Sequence, residues 1–241
     1  MKIKYLYTPN YEPKKRPNNS IKLIVIHYTG MQSERESILR LTNIKSRVSS
    51  HFLINQKGVI YRLVKDEHIS WHAGKSCWGK YKNLNKNSIG IELVNKGHQF
   101  GYTNFKKKQI LSLISVCKKL LKKYKIKKKN IIGHSDIAPT RKIDPGEKFP
   151  WTRLANNGIG IWHRCKPSFL RKYRNVKILE KKDKIKFIKN LNKIGYCFSS
   201  KKKSFLVKMF KAFQRHYRQE LINGHVDKES LIIAQNLSKK L

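Results

Sequence analysis

Two histidines and one aspartate stand where strands give way to loops. His27 ends a short β-branched run, Ile21–His27. His134 follows the apolar run Asn130–Gly133, and Asp144 lies in Lys142-Ile143-Asp144-Pro145-Gly146. Strand ends and the loops after them are where side chains converge on a cleft. Two neutral imidazoles and a carboxylate make a common catalytic zinc set. The fourth position stays open for a water whose pKa the ion lowers to about 7. The same trio also fits a plainer arrangement: two core or capping histidines and an aspartate that opens a Pro-Gly turn. No HExxH helix fixes the spacing. With nine histidines along the chain, residue type alone decides nothing.

Glu92 is a second candidate. It interrupts the apolar run Ile89-Gly90-Ile91-Glu92-Leu93-Val94. A carboxylate in such a strand is costly unless it is paired or faces a cleft. A neighbouring metal would keep it ionised; burial would raise its pKa toward that of a useful base. The alternative is an edge-strand glutamate paired with a lysine.

These residues need a scaffold of buried strands. Ile21–His27 and Ile89–Val94 read as buried strands, and His51–Asn55 and Gly58–Val64 as two strands joined by a tight turn. Ile131–Gly133 reads as one more. Ser33–Leu41 reads as a short helix. Lys106–Tyr124 has apolar residues at helical spacing with lysines on the other face. Residues 1–19, with Pro9, Pro13 and Pro17, read as a loop or arm. Residues 20–163 then form an α/β unit, a mixed central sheet flanked by helices. Residues 164–182 are highly charged with little pattern and read as a linker. Residues 183–241 read as a small all-α C-terminal domain, with Phe205–Tyr217 amphipathic and a further helix at Lys228–Leu237.

Composition sets limits. At 241 residues and 39% hydrophobic, the chain can bury a real core. Its 55 Lys+Arg against 14 Asp+Glu give +41, a balance that favours anionic partners. Lys, Asn and Ile, all with A/T-rich codons, are abundant. Runs such as Lys106–Lys108 and Lys201–Lys203 therefore read as solvated surface, and no aromatic–basic RNA motif accompanies them. No specific nucleic-acid partner is expected. Cys77, Cys117, Cys165 and Cys197 include no CxxC pair and no framework spacing, so a mostly reduced state is expected. Residues 1–20 lack a secretory apolar region, and no stretch reaches the roughly 20 apolar residues of a membrane span. The chain as written reads as cytoplasmic and monomeric.

Six segments occur in order: Leu23–Tyr28 (LIVIHY), Val48–Leu53 (VSSHFL), Trp71–Gly74 (WHAG), Leu84–Asn95 (LNKNSIGIELVN), Ile132–Pro139 (IGHSDIAP) and Arg141–Trp151 (RKIDPGEKFPW). Together they resemble the type-2 N-acetylmuramoyl-L-alanine amidases, relatives of the peptidoglycan recognition proteins, and within them the AmiD-like branch, itself similar to AmpD. The resemblance covers residues 20–163. Residues 205–237, with AFQRHY at 212–217 and Ile222-Asn223-Gly224, look like that branch's C-terminal peptidoglycan-binding module; the alternative is a helical extension that only packs on the amidase domain.

The resemblance implies a zinc hydrolase holding one Zn2+ per chain on His27, His134 and Asp144. Glu92 would be the catalytic glutamate and Lys142 an oxyanion-stabilising cation. Trp71 and His72 would stand on a substrate-binding cleft wall, unless Trp71 is core. The bond cut would join N-acetylmuramic acid, in intact or 1,6-anhydro form, to L-Ala of the stem peptide. Partners would be peptidoglycan or muropeptides, in wall turnover or recycling, and a wall-binding tail would point to the envelope instead of the cytoplasm. The competing reading is a non-catalytic recognition protein; such relatives lose a zinc ligand, whereas this chain keeps all three.

Overall fold

The computed structural model describes residues 3–178, 180–239 and 241. In chain order its strands are β1 (Ile3–Tyr5), β2 (Tyr11–Glu12), β3 (Leu23–Tyr28), β4 (Phe52–Ile54), β5 (Ile60–Arg62), β6 (Ile69–Ser70), β7 (Cys77–Trp78), β8 (Tyr81–Lys82), β9 (Ser88–Leu93) and β10 (Ile131–Gly133). Its helices are α1 (Glu34–Thr42), α2 (Lys107–Tyr124), α3 (His134–Ile137), α4 (Trp151–Asn156), α5 (Pro167–Arg171), α6 (Lys181–Ile194), α7 (Lys203–Tyr217) and α8 (Lys228–Ser238).

Six strands form a mixed sheet in the order β1-β5-β4-β9-β3-β10. β4, β9, β3 and β10 run parallel; β5 is antiparallel to β4. The alternation of side chains along a strand divides the core. Ile24 and Ile26 of β3, with Ile89, Ile91 and Leu93 of β9, pack beneath Ile110, Leu113 and Cys117 of α2. Leu23 and Val25 point the other way, as Ile132 does. They meet Phe187 and Leu191 of α6, Phe213 and Tyr217 of α7, and Leu237 of α8 in one continuous cluster. His27 and Glu92, register partners in neighbouring parallel strands, continue that second face at the strands' C-terminal ends.

Two sequence expectations need correction. Of the expected arm at 1–19, the described residues 3–19 are not free: β1 pairs with β5 at the sheet edge and β2 with β6, while Arg16 is buried and donates to the carbonyls of Asp66, Asn85 and Ser88. Strands of three and two residues, set among prolines at 9, 13 and 17, are too short to write a periodic pattern in the sequence. Residues 164–182 are not a plain linker: α5 lies there, Leu170 and Ile178 are buried, and Arg174 grips Glu229 with two hydrogen bonds of 2.8 Å. The C-terminal helices form the expected all-α part of the chain, and their apolar cluster is continuous with one face of the sheet.

The cysteines are not all reduced either. Cys77, in the β7–β8 hairpin, forms a disulfide with Cys197, 120 residues away and just beyond α6. A bridge between such distant segments leaves no spacing signature for the sequence to display.

Candidate active site

His27 leaves the end of β3, and His134 opens α3 directly after β10. Asp144 arrives on the following loop, fastened by the Ser135 N–H, which donates to the Asp144 carbonyl at 2.8 Å. Their side chains meet through three atoms. His27 Nδ1 lies 3.0 Å from His134 Nδ1 and 3.0 Å from Asp144 Oδ2; His134 Nδ1 lies 3.1 Å from the same oxygen. All three residues are buried.

The far nitrogens of both rings determine what those atoms are. Ser88 Oγ donates to the Leu84 carbonyl at 2.6 Å, so it accepts from His72 Nε2 at 3.1 Å. His72 Nδ1 is then an acceptor, and His27 Nε2–H donates to it at 3.0 Å. His134 Nε2–H donates to the Ala73 carbonyl at 3.2 Å. Both Nδ1 atoms thus carry lone pairs. Two imidazole lone pairs and a carboxylate oxygen face one another with no proton to share. Such a set is completed by a cation, and its donors are those that zinc takes. The residues fit the metal.

The electrostatics agree. Burial, and then the nearby His134, pull the His27 imidazole down to about 4, so it is neutral at physiological pH. Burial alone would push the Asp144 carboxyl up. His134 and His27 outweigh it and hold that group well below the usual carboxylate range.

A cavity of about 340 Å³ opens onto these atoms, lined also by Glu92, Trp71, His72, Arg141 and Lys142. Glu92 Oε2 is buried there with no hydrogen-bond partner among the described residues. Burial, reinforced by the charge of Asp144 and opposed by Lys142, pushes its carboxyl up to about 8. Lys142 and Trp71 are half-buried on the wall. His72 sits differently from a wall residue expected to reach a ligand: both its ring nitrogens are engaged within the protein.

The sequence reading missed the partners that orient these groups. Ser88, the Ala73 carbonyl and Gly90 belong to them. A Cβ at Gly90 would run into the His72 ring, so only glycine leaves His72 room beside His27. Arg141 adds hydrogen bonds to the Ala73 and Lys75 carbonyls, which fix the same loop. Each lies inside a quoted segment, but its role depends on contacts across the sheet. His51, buried beneath this layer, accepts from the Gly90 N–H at 3.0 Å and supports the backbone of β9.

Residues 17–147 match the family model described as N-acetylmuramoyl-L-alanine amidase. The chain belongs to the N-acetylmuramoyl-L-alanine amidase family. This amidase is 37% identical over 238 residues to N-acetylmuramoyl-L-alanine amidase AmiD of Escherichia coli (strain K12), a match covering 91% of this chain and 83% of that protein. It is 34% identical to the 1,6-anhydro-N-acetylmuramyl-L-alanine amidase AmpD of Haemophilus influenzae, over 63% of this chain and 90% of the relative. The solved complex of E. coli AmiD with anhydro-N-acetylmuramic acid-L-Ala-D-gamma-Glu-L-Lys superposes with a TM-score of 0.80 at 34% identity, over 95% of the amidase and 92% of that chain.

Proposed function

We propose that this amidase is zinc-dependent. It hydrolyses the amide bond between N-acetylmuramic acid, including its 1,6-anhydro form, and L-Ala of peptidoglycan stem peptides. The observation that carries the reading is the triangle of proton-free acceptors, His27 Nδ1, His134 Nδ1 and Asp144 Oδ2, beside the buried Glu92 carboxyl, whose Oε2 has no partner among the described residues, in one cleft. The relatives act on, or are bound to, muramyl-L-alanine compounds, which supports the substrate class.

His27, His134 and Asp144 would hold the ion, which supplies Lewis acidity to the attacking water and the scissile carbonyl. Glu92 accepts the proton that water loses on attacking the lactyl carbonyl and returns it to the departing L-Ala amine. The C–N bond breaks, leaving a muramic acid carboxylate and a free peptide. Lys142, a cation on the cavity wall, stabilises the negative oxygen of the tetrahedral intermediate. Trp71 offers a partly exposed ring against which a sugar face stacks.

The Cys77–Cys197 disulfide supports a place outside the reducing cytosol, in turnover of the wall. In the same reading the C-terminal helices give the polymer a second contact. The cavity of about 660 Å³ between α6, α7 and residues 223–227 supports it. Among the described residues no helix is long and apolar enough to cross a membrane.

The test is digestion of purified peptidoglycan and of an anhydro-muropeptide, with and without chelator, read by mass spectrometry. Release of intact stem peptides, abolished by chelator and restored by zinc, is expected. Chelator-resistant cleavage overturns the metal; binding without cleavage overturns the enzyme.

A further inference from the structure

Asp136 is a buried carboxylate that the chemistry above does not use. It sits two residues beyond His134 on α3 and is 1% exposed. Its Oδ2 accepts the Gly133 N–H at 2.8 Å, which closes the turn on which His134 is mounted. The same turn's Ser135 N–H holds the Asp144 carbonyl. One short helix thus sets the position of two of the three acceptor residues.

The other bonds to Asp136 come from far along the chain. Tyr196 O–H donates to Oδ1 at 2.6 Å, and His216 Nδ1–H donates to Oδ2 at 2.7 Å. Both donors are buried, at 1% and 2% exposure. The His216 ring is clamped face to face between Trp151 and Tyr217, with centroids 3.7 and 3.9 Å apart. Tyr196 is anchored by its neighbours: Cys197 is tied to Cys77, and the Gly195 carbonyl accepts from the Gly79 N–H at 2.7 Å. Three donors satisfy the carboxylate, and two of them belong to the C-terminal helical region.

We propose that Tyr196 and His216 are positioning residues for the metal centre, acting through Asp136 to hold His134 and Asp144 in register with His27. The C-terminal region is then a working part of the active site and not only a wall anchor. A carboxylate with one donor would be free to turn, and the α3 turn would lose the fixed point that aims His134 Nδ1. Partners one shell beyond the ligands commonly alter metal affinity by about 10–100-fold when removed. The inference rests on the zinc reading.

The experiment is zinc affinity, measured by competition with a chromophoric chelator on folded full-length protein, beside thermal unfolding of the metal-free form. His216→Phe keeps the stacked ring and removes the donor; His216→Asn returns an N–H near the Nδ1 position; Tyr196→Phe removes one oxygen. We expect zinc affinity to fall about tenfold or more in H216F, to recover to within about threefold in H216N, and to fall severalfold in Y196F. Wild-type affinity in both H216F and Y196F, whatever their melting temperatures, overturns the proposal. Should H216F fail to fold, Y196F decides by itself. A wild-type chain that binds no zinc overturns the zinc reading instead, so the two failures are told apart.

Discussion

The two faces of the central sheet are covered by different means. Under α2 the cover is apolar side chains on apolar side chains: Leu113 and Ile110 against Ile24, Ile26 and Ile91. On the other face the same strands carry Leu23 and Val25, then His27, Gly90 and Glu92. There the C-terminal helices supply oil at one end and polar clamps next to the site. Apolar packing is non-directional and tolerates small shifts. A hydrogen-bonded carboxylate such as Asp136 fixes angles and is costly to leave half-satisfied. The α2 face therefore stabilises the sheet, while the other face both stabilises it and, in the proposed reading, aims the acceptor residues.

The hardest blow to this contrast is deletion of residues 183–241. It uncovers Leu23, Val25 and Ile132 and removes both clamps on Asp136. We expect no soluble folded protein, read by circular dichroism and gel filtration. A folded, active truncation would make the C-terminal helices a dispensable appendage and erase the difference between the faces. Next in size is Glu92→Gln. Its carboxylate is proposed as base and not as ligand, so turnover should drop by roughly 10²–10⁴-fold. Zinc content and melting temperature should stay at the wild-type level. Loss of zinc would move Glu92 into the ligand set.

What the sequence made legible follows from how local each signal is. β3, β9, β10 and α2 were readable within a residue or two, because burial on both faces or on one stripe writes a short-range pattern. The candidate metal-binding trio by itself was not; three residues spread over the chain carry no period, and only the ordered family segments singled them out. β1 and β2 stayed hidden because three or two residues of edge pairing write no pattern at all. The shared core was hidden too. An amphipathic helix such as α7 displays an apolar stripe but not the partner that covers it. Residues 164–182 looked like a linker because their charges find partners, Arg174 with Glu229, only in three dimensions.

Leu113→Ala tests the quieter face. Leu113 is fully buried beneath the sheet and touches no group of the site. Its truncation should cost about 2–5 kcal/mol of stability. Per folded molecule, kcat and zinc affinity should be unchanged. A shift in zinc affinity here as large as that of H216F would mean that any loosening of the sheet reaches the ligands, and the polar clamps would lose their special standing.

The smallest expected effect separates cover from clamp on the site face. The paired change Cys77→Ser with Cys197→Ser removes the bridge but leaves Tyr196, His216 and every apolar contact of the C-terminal helices in place. Serine variants are preferable to a thiol reductant, which would itself compete for zinc. A cross-link over so long a segment acts chiefly on the unfolded chain, so its loss should cost about 2–4 kcal/mol. Chemical denaturation would register this as a lower midpoint with a somewhat steeper slope, because the unlinked chain exposes more surface when it unfolds. Zinc affinity in the folded protein should stay near the wild-type value, because the hydrogen bonds to Asp136 survive. A tenfold loss of affinity with the midpoint unmoved would reverse the assignment: the disulfide, through the Gly195–Cys197 segment, would then be aiming the ligands, and His216 would merely be filling space between Trp151 and Tyr217.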